Sequence, residues 1–169
     1  MFENKKIFIL GMARSGYHAA RILAKMNNTI ILNDKNEKQD EAHIKELKDL
    51  GVELILGSHP DDILDESFDY IVKNPGVHFD NKYLVYAQEH GIKVINEIEM
   101  AYHLLPKGVK LVAITGTNGK TTSCYLLWQA LNKVGIKTSY IGTIGFYIND
   151  KMKDLNNTTP DILDLYEMF

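Results

Sequence analysis

The chain has 169 residues, 45% hydrophobic and 24% charged, with a formal net charge of −3. That balance is ordinary for a globular protein and gives no support to nucleic-acid or membrane-surface binding through bulk charge. The lone cysteine, Cys124, excludes an internal disulfide framework and fits a reducing compartment, and no apolar run approaches the roughly 20 residues that span a bilayer. The N-terminal stretch MFENKKIFILGMARSG turns into strand and glycine loop too early for a signal peptide. The expectation is a cytoplasmic protein with no nucleic-acid partner and no membrane insertion; nothing in the composition speaks to an oligomeric state.

Strands and helices alternate along the first hundred residues. Lys6 to Leu10 (KIFIL) is a continuous apolar run, as expected of a strand buried on both faces. The turn Gly11 to Ser15 follows, then a helix with Ala19, Ala20, Ile22, Leu23 and Met26 on one side. A second strand, Thr29 to Leu32, ends at Asn33 and Asp34, and Lys38 to Leu50 reads as a charged helix burying Ile44, Leu47 and Leu50. Strand-like pieces recur at 53–56, 70–72 and 93–95, with a helix at 81–90. This rhythm predicts an α/β fold: a Rossmann-like parallel sheet with crossover helices. Around 96–110 a short helix runs into the breaker cluster Pro106, Lys107, Gly108, which marks a boundary.

From Leu111 a second unit is expected: strand Leu111–Thr115, turn Gly116–Lys120 (GTNGK), a helix from Thr121 to about Val134, a strand at 137–141, then a loop or small hairpin. Thr159 reads as the N-cap of a last helix, with Pro160 in its first turn. The GTNGKTT turn is arranged as a polyphosphate needs. Glycines allow close approach, successive amides and a helix N-terminus supply partial positive charge, Lys120 supplies a full one, and the Thr121 hydroxyl suits Mg²⁺. The spacing departs from the general G-x-x-x-x-G-K-[ST] pattern, because Gly116 and Gly119 enclose only two residues. The competing reading is an ordinary β-turn-α connection in which Asn118-Gly119 makes a tight turn.

GTNGKTT after the apolar VAIT resembles the ATP loop of the Mur ligase family. That resemblance implies an ATP-dependent, amide-forming enzyme: a carboxylate is activated as an acyl phosphate, and an amino acid's amine displaces the phosphate. It implies ATP and Mg²⁺ as cofactors, with a cradle of Gly116, Thr117, Asn118, Gly119, Lys120, Thr121 and Thr122. Lys120 would act on the β- and γ-phosphates as the catalytic residue, and Thr121 would help hold the metal.

The first unit carries further matches. GMARSG (Gly11–Gly16) stands where a dinucleotide fingerprint would, yet Ala13 replaces its middle glycine, which weakens a nicotinamide reading. It resembles instead the first loop of the D-glutamate-adding members of the family, which takes the diphosphate of a UDP-sugar. Gly11, Ala13, Arg14 and Ser15 would line that site, Asp34 would meet the uracil end, and Asn74 and Gly76 of KNPGV would form a turn beside the uridine. Arg14 as a plain surface residue and Asp34 as a turn former are the alternatives. Asn96–Ala101 (NEIEMA) resembles the entry to the family's central domain. Beyond about residue 135, GTIGFYI and NNTTPDILDLY resemble the members adding a third amino acid, in which Thr158 and Thr159 would touch the nucleotide-sugar; capping explains Thr159 equally well.

The resemblance divides the chain into a UDP-sugar-binding domain at 1–96, a linker at 97–110 and the start of an ATP-binding central domain of P-loop type at 111–169. Its partners would be a UDP-N-acetylmuramoyl-peptide precursor and an amino acid. The family's magnesium-binding glutamate, carbamoylated lysine and C-terminal domain find no counterpart before Phe169, so the sequence reads as a fragment. A nucleotide-sugar-binding module without catalysis is the reading from another class. Cys124 and Trp128 read as packing residues, the histidines show no metal spacing, and Asp61, Asp62, Asp65 and Glu66 read as solvated surface.

Overall fold

A computed structural model describes residues 1–114, 118–149 and 151–153. The chain divides into two units, Met1–Leu105 and Pro106–Phe169.

In the first unit, strands β1 (Lys6–Leu10), β2 (Thr29–Asp34), β3 (Glu53–Leu56), β4 (Tyr70–Lys73) and β5 (Lys93–Asn96) form one sheet. The order is β3-β2-β1-β4-β5 and every pairing is parallel. The central strand shows why KIFIL is apolar throughout: Ile7, Phe8, Ile9 and Leu10 are all buried, because helices and loops cover both faces. Four helices accompany the strands: α1 (Arg14–Ala24), α2 (Glu41–Asp49), α3 (Lys82–His90) and α4 (Glu97–Leu104). Each start after the first has a side-chain cap. Asp40 accepts from the Ala42 and His43 amides, Asn81 from Tyr83, and Asn96 from Glu99. The helix predicted from Lys38 therefore begins at Glu41, where its cap allows. Residues 97–104 of the predicted linker are helix α4, whose Met100 is fully buried within this unit.

The connection from β3 to β4, residues 57–69, crosses the sheet without a helix. Leu64 and Phe68 fill the place of a helical stripe, with Phe68 edge-on to Phe8 at 5.8 Å. The far end of this crossover is fastened by Asp69. Its carboxylate accepts from Lys5 Nζ at 2.8 Å and from the Lys6 amide at 2.9 Å, tying it to the start of β1. The Lys5 hydrogen bond, and after it the Lys6 amide, hold the Asp69 carboxyl below its ordinary value. A depressed carboxyl stabilises the fold above the unfolded value, about 4, and that contribution is lost as pH falls through the folded value. Asp69→Asn is expected to lower the melting midpoint by about 2–4 °C at pH 7. Thermal melts across pH should show the gap to the parent chain closing as the pH falls below the ordinary carboxylate range.

In the second unit, α5 (Lys120–Lys133) precedes β6 (Ser139–Gly142), β7 (Gly145–Ile148) and β8 (Lys151–Lys153), an antiparallel sheet in the order β6-β7-β8. Trp128 is buried, and its indole N–H donates to Thr138 O and Asn149 O, both at 3.1 Å, fastening helix to hairpin. Cys124 is half-buried. The strand expected over Leu111–Thr115 is not formed at 111–114, where Leu111 and Val112 are about two-thirds exposed. An apolar run becomes a strand only when neighbours take its amides and carbonyls, and no described strand lies beside this one. The helix expected after Thr159 lies outside the described residues, as do Thr158 and Thr159 themselves.

Candidate functional site

The strand order reverses direction between β1 and β4, and a crevice opens beyond the carboxyl ends of strands at such a point. A cavity of about 370 Å³ lies there, walled by Leu10 at the end of β1 with Gly11 and Ala13 beyond it, Asp34 at the end of β2 with Lys35, His59 from the crossover, and residues from Asn74 to Asn81 after β4, Gly76 and Val77 among them.

The wall is built by backbone chemistry at three strand ends. Gly11 leaves β1 at φ +97°, and its amide donates to Asn33 O at 2.8 Å. A Cβ on Gly11 would stand 2.9 Å from the Asn74 Cβ, so a side chain is excluded twice, by conformation and by contact. The Asp34 carboxylate accepts from the Met12 amide at 2.6 Å and from the Asn36 amide at 2.8 Å. Asp34 thus fixes the glycine loop and its own turn at once, and each oxygen keeps a lone pair. The turn-forming reading and the nucleoside-facing one are compatible: one carboxylate shapes the loop and lines the cavity.

Asn74 completes the frame. Its amide donates to Leu10 O, its side-chain nitrogen donates to Ser15 Oγ at 2.9 Å, and its side-chain oxygen accepts from the Gly76 amide at 3.0 Å. Lys73, buried at the end of β4, donates to Val77 O at 3.0 Å and Asn74 O at 3.3 Å and lies over the Phe79 ring. These bonds hold the N-P-G turn against the first loop. Gly11, Ala13, Asp34, Asn74 and Gly76 therefore meet in one wall, with Ser15 bonded to it. Arg14 is exposed at the first residue of α1 and is not part of the wall. No side chain caps α1 at Ala13, so the positive end of that helix is left to whatever occupies the cavity.

Sequence reasoning gave no role to His59, Lys35, His78 or Lys73. His59 sits two residues past Gly57, at the end of β3. Ligand groups gather at the ends of parallel strands, and that rule was the signal available for it. The acidic run behaves as surface: Asp61 is ion-paired with Lys82, and Asp65 caps its own turn at Ser67 and meets Lys6 at 3.3 Å.

The second candidate site lies at the start of α5. Gly119 is its N-cap at φ +77°, without a side-chain cap, and Lys120 is the first helical residue, half-buried. Thr121 Oγ1 is 2.8 Å from the Thr143 hydroxyl in the β6–β7 turn, while Asn118 and Thr122 are exposed. Gly116 and Thr117 lie outside the described residues.

A parallel α/β sheet with a cavity at its switch point and an uncapped helix end in the wall defines a Rossmann-like architecture. The family follows from comparison. Residues 5–96 match the model of the Mur ligase MurD-like N-terminal domain, and residues 114–169 match that of the Mur ligase middle domain. This chain belongs to the Mur ligase family. It is 41% identical over 162 residues to the UDP-N-acetylmuramoylalanine--D-glutamate ligase of Streptococcus mutans, an alignment covering 96% of this chain and 35% of that one. The enzyme of the same name from Geobacillus kaustophilus is 36% identical over 144 residues, covering 85% and 32%. The chain thus spans about a third of the length of these relatives. Among solved structures, a murein peptide ligase from Psychrobacter arcticus superposes with a TM-score of 0.55 at 18% identity, over 91% of this chain and 35% of that one. The UDP-N-acetylmuramate-alanine ligase of Thermotoga maritima gives 0.50 at 20%, over 88% and 36%. At those identities the structures speak for the fold.

Proposed function

We propose that this chain forms the nucleotide-handling part of a cytoplasmic, ATP-dependent ligase that joins D-glutamate to UDP-N-acetylmuramoyl-L-alanine through an acyl phosphate. The observation that carries the reading is the cavity at the β1–β4 switch point, walled by Gly11, Ala13, Asp34, Asn74 and Gly76. The uncapped α1 terminus suits a diphosphate. The Asp34 carboxylate, with lone pairs to spare, suits the N–H and O–H donors of the uridine, and exposed Arg14 would reach the phosphates from outside the wall.

The second unit would take ATP. The uncapped start of α5 offers amides, Lys120 a cation and Thr121 a hard oxygen, the donor set that a magnesium-bound triphosphate prefers. Gly116 and Thr117 would complete the cradle. Bound ATP and Mg²⁺ supply the activated phosphoryl group. The chain's own part is to align and neutralise the phosphates, which is most of what phosphoryl transfer asks of a protein.

A third-position amino acid is the second reading, favoured by Thr143 in GTIG and by Thr158 and Thr159 in NNTTP. Against it, the S. mutans alignment covers all but a few residues and so runs through this segment. Titration with UDP-N-acetylmuramoyl-L-alanine, its L-alanyl-D-glutamyl homologue and NADH separates the readings. The monopeptide nucleotide should bind at least tenfold more tightly than the dipeptide one, and NADH should not bind. Preference for the dipeptide would move the assignment one amino acid along, and NADH binding would replace it. Asp34→Ala leaves the Met12 amide unpaired and should weaken the UDP-sugar by about tenfold or more, with ATP·Mg²⁺ binding unchanged.

A further inference from the structure

The crossover from β3 to β4 brings into the cavity a side chain whose protonation pattern the fold dictates. Asn33 is fully buried, and its side-chain nitrogen donates to Ile55 O at 2.8 Å and to Ser58 O at 2.7 Å. With both its hydrogens committed, Asn33 can offer His59 only its oxygen. That oxygen is paired with His59 Nδ1, so Nδ1 carries the proton. In the neutral ring Nε2 is then an acceptor.

The ring is also held in place. Tyr83 meets it in a T-shaped contact, ring centroids 5.6 Å apart and planes perpendicular. Tyr83 Oη donates to Pro60 O at 2.6 Å, and burial pushes its phenol up to about 12, so it remains a donor. Lys82 donates to His59 O and to the Asp61 carboxylate. Nε2 has no hydrogen-bond partner among the described residues and is not among their buried unpaired atoms, and His59 lines the cavity. Burial first, then Lys82, holds the imidazolium below its ordinary range, which keeps Nε2 bare at neutral pH.

We propose that His59 is a nucleoside-reading residue: Nε2 accepts a hydrogen bond from an N–H or O–H donor of the uridine seated in the cavity. The proposal rests on the reading that the cavity takes a UDP-sugar. A fixed acceptor suits a uridine, which offers its imide N3–H and ribose hydroxyls as donors. A cytosine ring has no hydrogen at N3, so that if the base is the donor His59 also discriminates between pyrimidines.

The test is UDP binding by calorimetry to the parent chain, to His59→Asn and to His59→Gln. Asparagine keeps a donor near Nδ1 for Asn33 and removes the distal acceptor; glutamine puts an acceptor near Nε2. His59→Asn should melt like the parent and bind UDP about tenfold more weakly, the value of one hydrogen bond to a fixed acceptor. His59→Gln should recover part of the loss. One of N3-methyl-, 2′-deoxy- and 3′-deoxy-UDP should lose the same factor on the parent and nothing further on His59→Asn, which also identifies the donor. Long-range ¹H–¹⁵N spectra of the parent should show the Nδ1–H tautomer, with Nε2 moving upfield on UDP addition, a readout independent of any variant's folding. Parent-like UDP affinity in a folded His59→Asn, or an Nε2 resonance unmoved at saturation, overturns the role of His59 while leaving the nucleotide site standing. Failure of the parent to bind UDP at all overturns both.

Discussion

Gly16→Ala is expected to abolish UDP-sugar binding and to destabilise the first unit by about 3 kcal/mol or more. Gly16 lies in the first turn of α1 and is buried. A Cβ there would stand 1.9 Å from the Gly11 carbonyl oxygen, far inside contact distance, and the atom it meets is backbone. No rotamer change relieves that overlap. The loop must swing away from the helix, and the loop is the cavity wall: Gly11 is bonded to Asn33, Met12 to Asp34, and Ser15 to Asn74. Displacing it breaks three anchors at once. Circular-dichroism melts should drop by more than about 10 °C, and calorimetry with UDP should show no heat. A Gly16→Ala chain that melts and binds like the parent would mean that the loop and helix do not pack as described.

Lys120→Ala is expected to weaken ATP·Mg²⁺ binding by on the order of 100-fold while changing UDP-sugar affinity less than twofold. Lys120 opens α5 behind an uncapped Gly119, and its neighbour Thr121 is bonded to Thr143 rather than spent on the helix terminus. Removing the ammonium takes away the one full positive charge in the proposed cradle and leaves the amides in place. Hydrogen bonds to charged groups are the strong ones, which is why this single change outweighs loss of a cradle threonine. Fluorescent-nucleotide titration of the variant, paired with Asp34→Ala, should give opposite losses. Parallel losses in both variants would show that the two ligands do not occupy the sites proposed for them.

Much of the first unit was legible because its signals are local. KIFIL reads as a strand buried on both faces, which the central strand of a parallel sheet is, whereas the Asp40, Asn81 and Asn96 caps went unread, and α2 was expected three residues too early. Asp34 stood out at the end of its strand and the N-P-G turn through the family resemblance, and the fold brings both to one cavity wall. Two further things were not legible. The crossover at 57–69 has no periodicity to read, so His59 appeared as one histidine among six. Its proposed role comes from Asn33, 26 residues earlier, whose orientation is set by one carbonyl of β3 and one of the crossover. Lys73 looked like the first residue of the KNPGV turn, and only the folded turn shows it fastening Asn74 and Val77. The apolar run at 111–114 misled for the opposite reason. Its composition is that of a strand, but a strand is a relation between neighbours, and composition does not supply them.

The central claim is that the switch-point cavity of the first unit holds the uridine diphosphate of a muramoyl-peptide precursor. Backbone-amide NMR during titration with UDP-N-acetylmuramoyl-L-alanine tests it most directly. The predicted result is a saturable shift of amides at 11–15, 34–36, 74, 76 and 77, with the rest of the sheet little changed. Saturation without movement at those three strand ends, or movement confined to other surfaces, would contradict it.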